Sequence, residues 1–454
     1  MRLMSRQGKR SEESASSEKK TTTRMVLKKD VYDNDIRNAE LVIDKHSIDP
    51  FEVMRIQQYD DVPMALHGDD IVIRVEASTV SDIDSRIRDG SFHWKYTKKP
   101  QFPLVPGIDC VGIIESVGSL AIKSGLDVGD RVAALSLNGC TSKYITLKID
   151  EVIKVPDDVD SAEAVTVIRT YTAAFQCLMQ ECHGRDRYKR KPLADDRVLI
   201  VGPCGVFERA LVELATYLGA KRVYFSCVAT NQKSHDMYIR MLGAKPLSKD
   251  HEDWSDELQG KIDICVDSSC VDRFEHSYKS LKEDGLLVVN GMRELEKDGG
   301  IFTGIEKAWT SAWVACNPQC VVYEGILNSY FTERKVFVKD LIYLFAILEK
   351  GRIKPKVASR IPMSKVAAAQ ERLDINRESL ERRGVIVVQP WTLSPDIVDP
   401  KASSAISEEE DDNDDEEEGS TVMTGSSDTG TSEDSGEEES ASFDIDETKS
   451  SKDQ

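Results

Sequence analysis

Residues 197–220, RVLIVGPCGVFERALVELATYLGA, decide the fold of this chain. Residues 198–201 are a short apolar run, which indicates a buried strand, and a turn containing Gly202 and Gly205 follows directly. Gly219 stands where a helix should end. Strand, tight turn and helix form the first half of a βαβ unit, so the sequence predicts an α/β domain with a parallel sheet. Between the turn and Gly219, apolar residues recur at helical spacing: Ala210, Leu211, Leu214, Ala215 and Leu218.

The turn between this strand and this helix is a candidate phosphate-binding site. A helix N-terminus carries free N–H groups and partial positive charge, and glycines let a pyrophosphate approach the backbone. Gly202 and Gly205 are present, but Val206 and Glu208 stand where the dinucleotide-binding pattern has further glycines. The Glu208 carboxylate favours a helix start but would repel a phosphate placed there. The residues therefore allow two interpretations, a dinucleotide site or a helix N-terminus that meets no nucleotide.

The negative charge of the chain is concentrated at its C-terminal end. The net charge is −20 over 454 residues, and residues 401–454 contain 20 Asp or Glu against 3 Lys. The remaining 60 acidic and 57 basic residues nearly balance, so the composition gives no sign of nucleic-acid binding. Ten scattered cysteines without a secretory signal favour a reducing compartment, and we expect a cytoplasmic protein without a membrane span. The acidic, serine-rich segment is predicted to be disordered and to attract basic partners.

Motifs on both sides of the βαβ unit resemble those of the medium-chain dehydrogenase/reductase superfamily. Residues 102–118, FPLVPGIDCVGIIESVG, are similar to its P-x-V-P-G-x-(D/E)-x-x-G-x-V-x-x-V-G signature, and residues 128–132, VGDRV, are similar to its V-G-D-R-V turn. Residues 80–90, VSDIDSRIRDG, resemble the segment V-N-P-x-D-x-x-x-R-x-G of the quinone oxidoreductase and zeta-crystallin branch. Residues 284–291 and 348–355 resemble a later strand and the return into the first domain.

This resemblance implies a GroES-like β domain in two parts, with a Rossmann-type doubly wound parallel sheet between them. Relatives of this kind are often homodimers, so a homodimer is one expectation of the resemblance. The predicted boundaries are 1–39 for a disordered tail, 40–168 and 322–392 for the GroES-like domain, 169–321 for the Rossmann domain and 393–454 for the acidic disordered tail.

The residues at the zinc-ligand positions of the superfamily argue against a bound zinc ion. Catalytic-zinc members carry Cys where this chain has Ser81, and His-Glu where it has Ile108 and Asp109. Zinc binds thiolate, imidazole or carboxylate ligands, so a serine hydroxyl and an isoleucine are poor replacements. The resemblance therefore implies a zinc-independent member in which the cofactor carries the redox chemistry.

The resemblance places a cofactor in the cleft between the two domains. NAD sites usually hold an acidic residue about where residues 224–227 lie, and this segment has none. Ser226 and Lys233 could instead face the 2′-phosphate of NADPH, although Lys233 could equally be a solvated helix residue. The candidate cofactor-binding residues are Gly202, Gly205, Ser226, Lys233 and Gly291.

Ser81 and Asp84 are the candidate catalytic residues on the facing wall of the cleft. The Ser81 hydroxyl can donate a hydrogen bond and Asp84 can supply a proton, but a surface or packing role is the alternative for Asp84. The resemblance implies an oxidoreductase that reduces a quinone or an activated alkene (enone) by hydride transfer from NADPH. The replaced glycines leave a second hypothesis open, a catalytically degenerate member that acts as a binding or scaffold protein through its fold and its acidic tail.

Overall fold

The computed structural model describes residues 37–180, 187–227, 239–248, 251–270, 272–290 and 301–392, which lie within one compact unit, Met1–Pro400. The predictions for Lys233, Gly291 and the segment 393–454 lie outside the described residues, as does most of the predicted tail 1–39.

A six-stranded parallel sheet forms the centre of the α/β domain. Its strand order is β10-β9-β8-β11-β12-β13, and every neighbouring pair is parallel. This is the order of a doubly wound Rossmann-type sheet, so the predicted fold class is confirmed. The order reverses beside β8, and a ligand crevice is expected at its carboxyl end. The strands are β8 Arg197–Gly202, β9 Arg222–Cys227, β10 Lys245–Leu247, β11 Ile262–Asp267, β12 Leu281–Val289 and β13 Cys320–Val322.

The first helix of this domain buries the apolar stripe that the sequence predicts. Helix α6, Val206–Tyr217, follows the turn after β8, and its buried apolar residues pack in the same core cluster as Val198 and Ile200 of the strand. The stripe has a period near 3.6 residues, which places one face of the helix against the sheet. The other helices of the chain from α5 onward are α5 Thr172–Leu178, α7 His251–Leu258, α8 Glu275–Lys279, α9 Ile301–Cys316, α10 Ile326–Thr332, α11 Arg334–Glu349 and α12 Val366–Arg383.

The second large sheet joins strands from both ends of the described chain. Its path is β14-β15-β3-β4-β5-β7, with β6 paired to β3, and β15 runs antiparallel to β3. The last two strands of the described chain therefore lie in the same sheet as β3 to β7. A separate two-stranded sheet pairs β1 with β2, and β1 begins two residues inside the segment predicted as a tail. The strands are β1 Asn38–Ile43, β2 Met54–Tyr59, β3 Asp70–Val80, β4 Asp109–Val117, β5 Arg131–Leu135, β6 Tyr144–Lys148, β7 Val152–Lys154, β14 Val357–Ile361 and β15 Val385–Val388.

The helical segment between the two sheets is not one continuous α-helix. Helix α4, Ser161–Thr166, is followed by a π-helical turn, Val167–Tyr171, and then by α5. Asp160 is the N-cap of α4, and its carboxylate accepts the hydrogen bonds from the amides of Ala162 and Glu163. A π-helical turn inserts an extra residue into a helix and often marks a functional site.

The remaining helices of the β domain are short, and one of them carries a predicted site residue. Helix α2, Asp82–Asp89, follows β3 and begins after the N-cap Ser81. The other two short helices of the β domain are α1 Pro50–Val53 and α3 Ser119–Lys123.

No helix among the described residues is both long and apolar enough to cross a membrane.

Candidate functional site

The turn after β8 lies at the carboxyl end of the central strand, where the fold predicts a ligand crevice. Gly205 is the N-cap of α6, and Cys204 before it has a φ of +66°, in the left-handed region. A Cβ atom added at Gly202 would lie 2.4 Å from the Ser268 Oγ and 2.8 Å from the Glu208 Cγ. Gly202 is therefore required by the close approach of the protein's own side chains.

The Glu208 carboxylate folds back onto this turn. The amide of Gly205 donates a hydrogen bond to Glu208 Oε2 at 2.8 Å, and the Ser268 hydroxyl donates to Oε1 at 2.6 Å. The Glu208 side chain is buried, and Ser268 follows β11, the neighbouring strand in the sheet. This arrangement satisfies a free N–H group at the start of the helix with an internal anion. It also places a negative charge at the helix N-terminus, which is the position that a negatively charged pyrophosphate would occupy.

Ser226, the other predicted cofactor-binding residue within the described chain, is buried. Ser226 lies near the end of β9 and is fully buried, and its hydroxyl donates to the Ser248 carbonyl at 3.3 Å. The assignment of Gly202, Gly205 and Ser226 to a cofactor remains a prediction.

Ser81 and Asp84 lie together at the start of α2. The Ser81 amide and hydroxyl donate to Asp84 Oδ2 at 2.8 and 2.7 Å, and the Gly107 amide donates to Asp84 Oδ1 at 3.0 Å. Ser81 and Asp84 thus form a capping box, and the Gly107 amide is a third donor to the carboxylate. Burial raises the pKa of Asp84 to about 6, against the opposing effect of the nearby Arg169 charge. The assignment of Ser81 and Asp84 to catalysis remains a prediction.

A buried ion pair that the sequence did not indicate adjoins Asp84. Arg169 Nε donates to Asp109 Oδ2 at 2.5 Å, and its Nη2 donates to the Thr79 hydroxyl at 2.9 Å. Asp109 Oδ1 accepts from the Thr79 amide and hydroxyl at 3.0 and 2.7 Å. Arg169 projects from the π-helical turn, against which α6 packs. An arginine within an otherwise apolar helical segment was the available sequence signal for this pair.

The zinc positions of the resemblance are occupied by this hydrogen-bonded cluster. The Ser81 hydroxyl is bonded to Asp84, and Asp109 is bonded to Arg169 and Thr79. Within the described ranges, no group of three or more His, Cys, Asp or Glu residues is arranged to hold a metal ion.

Comparisons with known proteins agree with this architecture. The alcohol dehydrogenase GroES-like domain matches residues 67–157. Quinone oxidoreductase of Pongo abelii is 24% identical over 333 residues, covering 71% of this chain and 90% of that protein. Synaptic vesicle membrane protein VAT-1 homolog-like of Mus musculus is 23% identical over 314 residues, covering 67% of this chain and 72% of that protein. The crystal structure of Escherichia coli quinone oxidoreductase complexed with NADPH is similar in fold, with a TM-score of 0.56 at 20% identity over 78% of this chain and 100% of that chain.

The two-part β domain, the doubly wound sheet and these matches define one class of protein. By its sequence the chain is a distant homologue, at 23–24% identity, of proteins named quinone oxidoreductase and VAT-1 homolog-like. These matches relate it to the quinone oxidoreductase branch of the medium-chain dehydrogenase/reductase superfamily.

The turn of this chain does not fit a dinucleotide pyrophosphate. The Gly205 amide already binds the Glu208 carboxylate, which is buried against Ser268. A pyrophosphate at this helix N-terminus would have to displace that carboxylate or lie beside it, and like charges repel strongly where water is excluded.

Proposed function

We propose that this chain is a catalytically degenerate member of the superfamily that acts as a binding protein. The observation that carries the proposal is the Glu208 carboxylate, which binds the Gly205 amide and the Ser268 hydroxyl at the dinucleotide turn. Hydrogen bonds to a charged group are each worth about 1.5–3 kcal/mol. A dinucleotide that displaced the Glu208 carboxylate would lose this free energy, so its affinity would be substantially lower.

The binding function also draws on the acidic segment 401–454. This segment carries 20 acidic residues against 3 lysines, while the rest of the chain is nearly neutral. A run of like charge attracts basic partners over a range set by the Debye length, about 8 Å at physiological salt. Binding through it should therefore weaken strongly as the salt concentration rises.

A second candidate function is NADPH-dependent reduction of a quinone or an enone. It is supported by the cluster of Ser81, Asp84, Asp109 and Arg169, in which the pKa of Asp84 is raised to about 6. It is also supported by the name quinone oxidoreductase carried by relatives, one of which has been crystallised with NADPH. The two candidates differ in one measurable property, which is whether the native chain binds NADPH.

The test is a calorimetric titration of the full chain with NADPH, and with NADH beside it. Variants Glu208→Gly and Glu208→Gln remove the anion from the turn, and Glu283→Gln at an exposed position is the matched control. No binding by the native chain and by Glu283→Gln, with micromolar binding by Glu208→Gly, is the expected result.

Two other outcomes would contradict the proposal. Micromolar binding of NADPH by the native chain would favour the reductase, and a screen of quinones and enones for NADPH oxidation would follow. Absence of binding by every variant would show that Glu208 is not what closes the turn, and the observation that carries the proposal would fail.

A further inference from the structure

An exposed apolar surface is formed by the segment that joins β2 to β3 and by the short helix α3. Its members are Met64 and Leu66 of the segment and Leu120 and Ile122 of the helix, and each is between 50% and 84% exposed. Ala121, between the two helical members, is buried and holds α3 against the domain. Single exposed apolar side chains are common on proteins, but a group of neighbouring ones is typical of an interaction site.

Main-chain and side-chain contacts join the two elements of this surface. The Leu120 amide donates to the Gly68 carbonyl at 2.7 Å, and the Ala65 amide donates to the Ser116 hydroxyl at 3.1 Å. A Cβ atom added at Gly68 would lie 3.2 Å from the Leu120 Cγ. The segment 64–68 therefore lies directly beside α3, and the exposed side chains of both belong to one surface.

The described chain begins beside this apolar surface. Strand β1 starts at Asn38, which pairs with Tyr59 at the end of β2, and Asn38 Nδ2 donates to the Asp61 carbonyl at 3.1 Å. Met64 follows Asp61 by three residues, so at most about 11 Å separates their Cα atoms. Residues 1–36 therefore join the fold next to the surface.

The part of the chain that precedes β1 contains one apolar stretch near the fold, residues 25–32, MVLKKDVY. Five of these eight residues are apolar or aromatic, whereas residues 5–24 contain no hydrophobic residue larger than alanine. The connection from residue 32 to Asn38 spans about 20 Å when it is extended. Because Asn38 contacts Asp61, this length is sufficient for the stretch to reach the surface.

The charges of the surface favour this stretch over other occupants. Residues 60–68 and 119–127 contain three exposed acidic residues against one exposed lysine, whereas residues 24–32 contain three basic residues against one acidic residue. A second copy of the chain would bring the same acidic residues to the contact, and the acidic segment 401–454 would be repelled. The exposed charged residues of the surface are Asp60, Asp61, Lys123 and Asp127.

We propose that residues 25–32 dock on the surface formed by Met64, Leu66, Leu120 and Ile122 of the same chain. Docking removes the apolar side chains of both partners from water, and the basic residues of the stretch lie near the acidic residues of the surface. The short connection to β1 keeps the effective concentration of the stretch high, so that modest contacts suffice. The inference does not depend on whether the turn after β8 binds a dinucleotide.

The test is limited digestion of the full chain with trypsin, which cleaves after lysine and arginine. The stretch contains two such sites, Lys28 and Lys29, and a second lysine pair, Lys19 and Lys20, lies outside it. A docked stretch is cleaved only when it detaches, so its cleavage rate reports the detached fraction. Mass spectrometry of the products measures the rate at each pair separately.

Three variants are compared with the native chain. Leu66→Ser and Leu120→Ser each remove one apolar side chain from the surface, and we expect both to fold because both positions are exposed. Ile48→Ser removes an apolar side chain that is 83% exposed and lies outside the surface, so it is the matched control.

We expect cleavage at 28–29 to be about tenfold faster in both surface variants than in the native chain and in Ile48→Ser, because one buried leucine contact is lost. Cleavage at 19–20 should be the same in all four proteins. Equal rates at 28–29 in all four would overturn the inference. Equal acceleration by all three variants would also overturn it, since it would indicate a general loss of stability. A change in sedimentation of the surface variants without a change in cleavage would show that a second copy covers the surface instead.

Discussion

The guanidinium of Arg169 contacts the carboxylate of Asp109, with Nε and Oδ2 2.5 Å apart, although 60 residues separate them in the chain. The Asp109 side chain is 1% exposed and that of Arg169 is 15% exposed. The pair joins the π-helical turn to the start of β4, and thus joins the helical segment between the two sheets to the β domain.

Replacing Asp109 by Asn should destabilise the fold strongly. The change leaves the Arg169 charge buried without its partner, and removing one member of a buried pair typically costs about 3–5 kcal/mol. In a double-mutant cycle with Arg169→Gln, the free energy of unfolding of the double variant should fall by less than the sum of the single losses. Urea denaturation followed by circular dichroism measures all four proteins. Additive losses would show that the two side chains do not stabilise each other.

The Arg169 pair illustrates which parts of the structure could be predicted from the sequence. The unit from β8 to α6 was predictable because its signals are local, an apolar run, a glycine turn and a helical period. The contact of Arg169 with Asp109 and Thr79 was not, because it depends on how three distant segments pack.

The role of Glu208 could be predicted only in part. Its replacement of a glycine was visible in the sequence, but the direction of its side chain was not, because that direction depends on Ser268, which follows the distant strand β11. Strands β10 and β13 have three residues each, which is too short for a periodic pattern to indicate them.

The stability of the protein should depend on pH through Asp84. Burial raises its pKa in the folded state to about 6, from an ordinary value of 3.8. Below about pH 3 the group is largely protonated in both states and imposes no penalty. As the pH rises from about 4 to 6, the unfolded chain ionises first, so the folded state loses up to about 3 kcal/mol of stability relative to it. Above pH 6 this contribution is constant.

Denaturation of the Asp84→Asn variant between pH 4 and 7 checks this dependence. The variant should lack the decline between pH 4 and 6, while Asp82→Asn on the same helix should keep it. A native-like decline in Asp84→Asn would assign the pH dependence to other groups.

Trp391 attaches the end of the described chain to the β domain. Its indole N–H donates to the Val75 carbonyl at 2.7 Å, and the Lys143 ammonium lies 4.4 Å from the ring centroid. Trp391→Phe should lose the hydrogen bond, at about 1 kcal/mol, and keep most of the ring contact. Trp391→Ala should cost about 1–2 kcal/mol more, because the ring contact is lost as well. Equal losses for the two variants in thermal denaturation would show that the ring contact contributes nothing.

The close contacts around Gly202 allow a test, without any ligand, of whether the Glu208 side chain lies over the turn after β8. Gly202→Ala should destabilise the protein by about 1–3 kcal/mol, because the added methyl group meets Glu208 Cγ at 2.8 Å and Ser268 Oγ at 2.4 Å. Combining it with Glu208→Ala removes the first of these contacts, so the loss caused by Gly202→Ala should be smaller in that background. Gly285→Ala is the matched control, since its methyl group would meet the Ile262 carbonyl at 2.7 Å, far from Glu208 in sequence. Thermal unfolding of the six proteins should show coupling of Glu208 to Gly202 and none to Gly285. Equal coupling to both glycines, or to neither, would mean that the Glu208 side chain does not lie over the turn in solution.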